Sequence, residues 1–167
     1  GKILEAIAIG GGIAEIMNKD MEKAKTRLNF ELLVGKDSGD ELFESLNKMK
    51  GPLGEGILNL GKELTKSMEA ADIAPTLKRL GDVAIGDKDK LAVLAAAMGQ
   101  LTKEGKLTEA SMSALEEGGF NPLLMISETT GESLKKVRAR FENGKISAQE
   151  VQKALKASTD EGGRFFG

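Results

Sequence analysis

Leu91-Ala92-Val93-Leu94-Ala95-Ala96-Ala97-Met98-Gly99-Gln100-Leu101-Thr102 is the stretch that decides the fold. Leu91, Leu94, Met98 and Leu101 recur at three- and four-residue intervals, which on a helical period puts all four on one side. Ala95, Ala96 and Ala97 support the helix, because alanine loses no side-chain rotamer freedom when the backbone coils. A half-buried strand would need apolar and polar residues to alternate. No Val/Ile/Thr-rich alternating run of strand length occurs anywhere in the chain, while Leu, Ala, Met, Glu and Lys dominate. The stretch is therefore expected to be a core helix of an all-α protein. The small side chains around Ala97-Met98-Gly99 would let another helix approach closely at Gly99.

Toward the N-terminus, Asp72 fits a helix N-cap, with Pro75 in the first turn and Ile73, Leu77 and Leu80 facing inward. Leu53, Ile57, Leu60, Leu64 and Met68 describe a helix face that Gly54, Gly56 and Gly61 loosen. Leu42, Leu46 and Met49 mark another, ended by a break at Gly51-Pro52, and Gly35 to Gly39 reads as a turn. Before that turn, Ile13, Met17, Met21, Ala24 and Leu28 form the apolar face of a long first helix continuing toward Val34. Its weak point is Gly10-Gly11-Gly12, since each interior glycine costs a helix about 0.8–1.0 kcal/mol relative to alanine. Ile3, Leu4 and Ile7 are expected in a separate short helix or a frayed lead-in. The expected organisation is a long N-terminal amphipathic helix over 1–34, connecting helices with glycine-rich breaks over 35–71, and a compact bundle of short helices over 72–167.

Toward the C-terminus, two turns look alike: Gly105-Lys106-Leu107-Thr108 and Gly144-Lys145-Ile146-Ser147. Each is a helix stop followed by a helix start. In the second, Ser147 and Glu150 have the spacing of a capping box; in the first, Thr108 caps without a reciprocal acid. Asn121-Pro122 places a cap before a proline at the first helical position, opening a helix over Leu123 to Thr129. Leu134, Val137 and Phe141 define one further face, and Val151 and Leu155 the last.

Composition removes most catalytic possibilities. With no His and no Cys in 167 residues, Ser-His-Asp and Cys-His triads, thiolate redox chemistry and the usual zinc sites are excluded. Six Phe, without Trp or Tyr, leave few side chains to stack on bases or line a ligand pocket. A formal charge of −2 gives no global attraction to nucleic acid or to an anionic membrane surface. The longest uncharged run, Leu91 to Thr102, is too short to span a bilayer, and the segment is expected to be soluble. The chain opens on Gly rather than Met without a signal-peptide pattern, which reads as a piece of something longer.

Several constellations imitate sites. Gly56-Ile57-Leu58-Asn59-Leu60-Gly61-Lys62 follows most of a phosphate-loop pattern, but Glu63 stands where a Ser or Thr would ligate magnesium, and no strand precedes it. Gly10-Gly11-Gly12 fails the dinucleotide fingerprint, because Glu15 occupies the place of the third glycine. Asp87 and Asp89 hint at a cation loop without the oxygen ladder of an EF-hand, so a helix cap is the better reading. Glu116 and Glu117 point about 100° apart on a helix and do not face one cleft. No catalytic, cofactor-binding or metal-binding residue is expected.

Two groups of residues remain as candidates for contact with a partner. Phe120, Pro122 and Leu123 concentrate apolar side chains after a glycine turn, and Phe165 and Phe166 place adjacent aromatics near the end of the chain. These suit protein association or internal packing. Lys135, Lys136, Arg138 and Arg140 form a weak basic patch between Glu132 and Glu142, read as a solvated helix face or a contact for DNA or an acidic partner.

The C-terminal half also carries an ordered series of punctuated segments: Leu80-Gly81-Asp82-Val83-Ala84, Ala97-Met98-Gly99-Gln100, Gly105-Lys106-Leu107-Thr108, Gly118-Gly119-Phe120-Asn121-Pro122-Leu123, Gly131, Gly144-Lys145-Ile146-Ser147 and Glu161-Gly162-Gly163-Arg164-Phe165-Phe166-Gly167. Their order and spacing resemble the N-terminal domain of bacteriophage tail tape measure proteins, over roughly Phe30 to Gly167 and most tightly from Pro75 onward. Members of that family are long, largely helical chains that occupy the lumen of the growing tail, set its length and leave during genome delivery. The resemblance implies a structural and assembly role in the tail of a phage or prophage, with no enzymatic activity and no cofactor. It implies synthesis in the bacterial host cytoplasm and residence in the virion tail. The implied partners are other tail proteins (tube, tip or baseplate, chaperone) and further copies of the chain, with neither nucleic acid nor a membrane span engaged by these residues. The chain departs from the family in lacking its extended coiled regions and in the glycine content of Gly51 to Met68. Two alternatives stand beside it: a helical protein–protein adaptor of non-phage origin, and a carboxylate-dependent muralytic enzyme.

Overall fold

A computed structural model describes the backbone of residues 11–166 and the side chains of residues 19–166. The expected lead-in around Ile3, Leu4, Ile7 and Gly10, and the side chains of Ile13 and Met17, lie outside the described residues. The protein is all-α. Nine helices and no strand occur among the described residues: α1 (Gly11–Val34), α2 (Lys36–Leu53), α3 (Ile57–Leu64), α4 (Ala70–Ala84), α5 (Lys88–Glu104), α6 (Glu109–Glu117), α7 (Pro122–Thr130), α8 (Leu134–Glu142) and α9 (Ala148–Thr159). The chain sorts into two compact units that divide between Glu44 and Ser45.

In the first unit the turn expected over Gly35 to Gly39 is a single residue. Gly35 takes φ +95°, a left-handed conformation that a side chain resists, and α2 starts at Lys36. Gly39 is instead helical, and a Cβ there would stand 2.5 Å from Glu31 Cα, so the backbones of α1 and α2 touch. Phe30 and Phe43 fill the space beside this contact, 0% and 1% exposed, with ring centroids 6.2 Å apart. Arg27 stacks over Phe43 at 5.2 Å and pairs with Glu44. At 100° per residue, Met21, Leu28 and Leu32 lie on the side of α1 opposite Phe30. All three are exposed.

The second unit is built around α5, against which α3, α4, α6 and α9 pack, while α7 packs on α8 and α9. Leu91, Leu94, Met98 and Leu101 are all buried, as their spacing predicts. Ile73, Leu77 and Leu80 of α4, Leu115 of α6, and Val151 and Leu155 of α9 are buried as well. Full burial of each such side chain stabilises by about 1.5–3 kcal/mol before cavity terms. The neighbour at Gly99 is the end of α3: a Cβ at 99 would sit 3.2 Å from both Leu64 and Ser67. Gly118 is likewise required by space, since a Cβ there would meet the Leu94 side chain at 2.5 Å.

Three boundaries differ from expectation. Gly51-Pro52 does not break α2, which runs to Leu53. Leu53 Cδ2 lies 2.7 Å from where a Cβ on Gly81 would be, and this contact holds the last turn in place although proline removes one hydrogen bond. The face expected from Leu53 to Met68 is accordingly cut short, with α3 covering only Ile57–Leu64. Helix α4 begins at Ala70 with Glu69 as N-cap and without a side-chain cap. Asp72 therefore sits in the first turn, where its charge meets the positive end of the helix dipole, and Pro75 lies within the helix.

The look-alike turns pair with each other. Leu107 N–H donates to Ile146 C=O, and Ala148 N–H to Gly105 C=O, both at 2.9 Å, giving an antiparallel bridge between Lys106 and Ser147. Leu107 and Ile146 are buried beside it, at 2% and 0% exposure. The Ser147–Glu150 capping box forms, with the two reciprocal bonds at 3.0 and 3.1 Å. Thr108 also has a reciprocal partner: Ser111 Oγ accepts from Thr108 N–H at 2.9 Å, so a hydroxyl takes the part for which an acid was expected.

Candidate functional site

The apolar group around Phe120 faces inward. Asn121 Oδ1 accepts from Leu124 N–H at 3.1 Å, and Pro122 opens α7 as expected. Phe120 is 0% exposed and Leu123 6%, and Pro122 is buried too. None of the three offers surface to a partner in the folded chain. Phe165 is half-buried, its ring 6.4 Å from that of Phe120. The chain beyond α9 folds back to make this contact: Phe165 N–H donates to Ser158 C=O at 2.7 Å, and Arg164 pairs with Glu128 of α7. Of the five apolar candidates, Phe166 alone is largely exposed, at 62%.

The basic patch is smaller than its sequence. Arg140 donates through Nε to Glu132 at 2.9 Å and through Nη1 to Glu150 at 2.8 Å, and Nη1 also reaches Lys145 C=O at 3.3 Å. These bonds, to Glu132 first and Glu150 next, raise its pKa above the ordinary arginine value. They also tie α8 to the capping box of α9. Lys135, Lys136 and Arg138 remain exposed, a three-residue cationic face whose helix carries one aromatic, the half-buried Phe141.

The imitation sites resolve into structure. The Gly56–Lys62 segment leads into α3, where Ile57 and Gly61 are buried and Gly61 is packed against Leu46. Glu63 points outward to Lys66. Asp87 caps α5, its Oδ1 accepting from Asp89 and Lys90 N–H at 3.0 and 3.1 Å. Glu116 and Glu117 are both exposed. Among the described residues no helix is long and apolar enough to cross a membrane.

Two surface features were missed. The apolar stripe of α1 was legible through Met21 and Leu28, but its exposure was not: Met21 is 57% and Leu28 51% exposed, and Leu32, one turn further on the same side, 76%. The other is Ile85, which ends α4 at φ 51°, ψ 49° and is 84% exposed. It is the one non-glycine residue at positive φ among the described residues. A left-handed conformation costs an L-residue roughly 1–2 kcal/mol, and a β-branched side chain makes it rarer. In the sequence Ile85 only extends the apolar run Val83-Ala84, and Gly86 beside it is the residue that would be assigned the left-handed turn. Asp82, one turn earlier, is the carboxyl that burial pushes above its usual range, partly offset by Lys78. Comparisons with protein-family models, curated proteins and solved structures find no match to this chain.

Proposed function

We propose that the chain is a structural and assembly domain of a phage or prophage tail tape measure protein, contributing to tail assembly and tail-length determination without catalysis. The observation that carries this reading is the ordered glycine-punctuated series from Leu80 to Gly167 and its resemblance to that family. In support, the members of the series are parts of one packing scheme: Gly105, Gly119, Gly131, Gly144 and Gly162 take positive φ, while Gly99 and Gly118 admit neighbouring side chains. An all-helical bundle is what the resemblance implies. The partners on this reading are tail tube, tip or baseplate and chaperone proteins, together with further copies of the chain, and its place is the virion tail.

A second reading, a helical adaptor of non-phage origin, is favoured by the exposed apolar stripe of α1 and by Ile85, which suit protein contact. Genomic context separates the two, because tail-tube and baseplate genes should neighbour a tape measure gene. A peptidoglycan clearing assay tests the muralytic alternative, which is expected to be silent. The decisive experiment deletes residues 72–167 in frame from the parent phage gene. Tail formation or infectivity should be crippled. Infectious particles with proportionally shorter tails would make the segment part of a ruler and overturn its reading as a folded assembly element.

A further inference from the structure

A groove of about 790 Å³ opens in the second unit between α4, α9 and the turn that follows α3. Its volume falls within the roughly 300–1,000 Å³ of ordinary ligand sites. Although the chain as a whole carries a formal −2, this groove is lined by four cations, Lys66, Arg79, Lys153 and Lys156, against two carboxylates, Glu69 and Asp72. Lys66 is engaged by Glu63. Arg79, Lys153 and Lys156 make no ion pair among the described residues.

One wall holds a polar group with an unused bond. Thr76 lines the groove, is 8% exposed, and its hydroxyl has no hydrogen-bond partner among the described residues. Helical threonines commonly bond the carbonyl four residues back. In this protein Thr102, Thr129, Thr130 and Thr159 do so at 2.6–2.9 Å, and Thr76 does not. The hydroxyl is not sealed from solvent and faces the groove, so a ligand seated there can reach its free bonding capacity. Arg79 follows one turn later on α4, so hydroxyl and guanidinium stand on the same face.

The facing wall is also oriented. Gln152 Nε2 donates to Thr102 Oγ1 at 2.9 Å, and that hydroxyl in turn donates to Met98 C=O at 2.8 Å. The chain of bonds fixes the amide and leaves Gln152 Oε1 as an acceptor. Lys153 and Lys156 lie beside it at one-residue and four-residue spacing on α9. A simple anion would use the cations and find no role for the acceptors Gln152 Oε1 and Asp72. A peptide uses both, because its backbone supplies N–H donors and its side chains supply carboxylates.

We propose that this groove binds an acidic peptide segment. Its carboxylates meet Arg79, Lys153 and Lys156, and its backbone engages Thr76 and Gln152. The inference goes beyond the assembly reading and holds for either a phage or a non-phage chain.

The test is fluorescence anisotropy of a labelled oligo-glutamate peptide against the 167-residue protein, with inorganic phosphate as competitor and labelled oligo-lysine as the opposite-charge probe. Saturable binding is expected, weakening by about tenfold or more on reversing Lys153→Glu and Lys156→Glu, both exposed residues whose change leaves the core intact. Thr76→Val, which keeps shape and removes the hydroxyl, should weaken binding several-fold with an unchanged helical circular dichroism spectrum. The paired variant Lys135→Ala, Lys136→Ala on α8 should leave the affinity unaltered. The proposal is overturned if oligo-glutamate shows no saturable binding, or if the α8 variant weakens it as much as the α9 reversal does. It is also overturned if oligo-lysine binds more tightly, or if millimolar phosphate displaces the peptide completely, which would make the groove a small-anion site.

Discussion

Leu32 in the first unit and Leu94 in the second both sit in the apolar stripe of a long helix, yet Leu32 is 76% exposed and Leu94 0%. The difference lies in how many neighbours each helix has. Among the described residues, helix α1 meets α2 across a one-residue turn, and that contact covers the side bearing Phe30 while Met21, Leu28 and Leu32 on the opposite side stay exposed. Helix α5 has four partners, α3, α4, α6 and α9, so every apolar position in its stripe finds cover. An amphipathic pattern therefore states that a face prefers to leave water, and the number of surrounding helices decides whether it does.

The sharpest way to break this comparison is Leu94→Ala, expected to destabilise the second unit by roughly 2–5 kcal/mol as a buried large-to-small change. An unchanged urea midpoint would take Leu94 out of the core. Next in size is Gly118→Ala, which forces a methyl against Leu94 and should cost about 1–3 kcal/mol. Combined with Leu94→Ala it should cost less than the sum, because the first change makes room for the second; strict additivity in the double-mutant cycle would deny the contact.

Smaller effects sharpen the picture. Ser147→Ala removes a cap and should lower stability by about 1 kcal/mol, read as a shift of the thermal midpoint. Asp82 titrates above its usual range because it is partly buried, so the folded state holds its proton more tightly than the unfolded chain. Stability should then fall as pH rises from the ordinary carboxylate range through the raised value. Asp82→Asn abolishes that decline and should stabilise slightly at pH 7, by about 0.5 kcal/mol or less. Loss of stability at pH 7 would show that the charged form is favoured by its surroundings. The least change is expected from Leu28→Ser and Leu32→Ser, each within about 0.5 kcal/mol. A large loss from either would mean that the stripe is covered in solution.

Much of the fold was legible because periodicity and caps are local. Leu91 through Leu101, Asn121-Pro122, Ser147 with Glu150, and Asp87 are read from neighbours within one turn of helix, and the structure places each accordingly. Breaks were less legible. Gly51-Pro52 and Gly39 look like stops by local chemistry, and only contacts made elsewhere, Leu53 on Gly81 and Glu31 against Gly39, keep them helical. Burial of Phe120 draws on Phe165 of the returning C-terminal turn, 45 residues away in sequence, which no nearby residue announces. The groove at Thr76 was invisible for the same reason: its walls are Thr76 and Gln152, far apart in sequence and brought together only by packing of α4 on α9.

The bridge between Gly105–Thr108 and Gly144–Ser147 makes residues 108–146 a closed excursion, leaving and rejoining the rest of the bundle at the same point. Its entry and exit turns are held by two backbone hydrogen bonds, so the ends of the excursion are already adjacent. Closing that excursion is therefore entropically inexpensive, because loop-closure cost grows by only about 0.6 kcal/mol per doubling of length. What opposes its removal is packing: α6 lies on α5, α7 lies on α9, and Phe120 is buried. The protein is thus modular in its chain path while remaining continuous in its core.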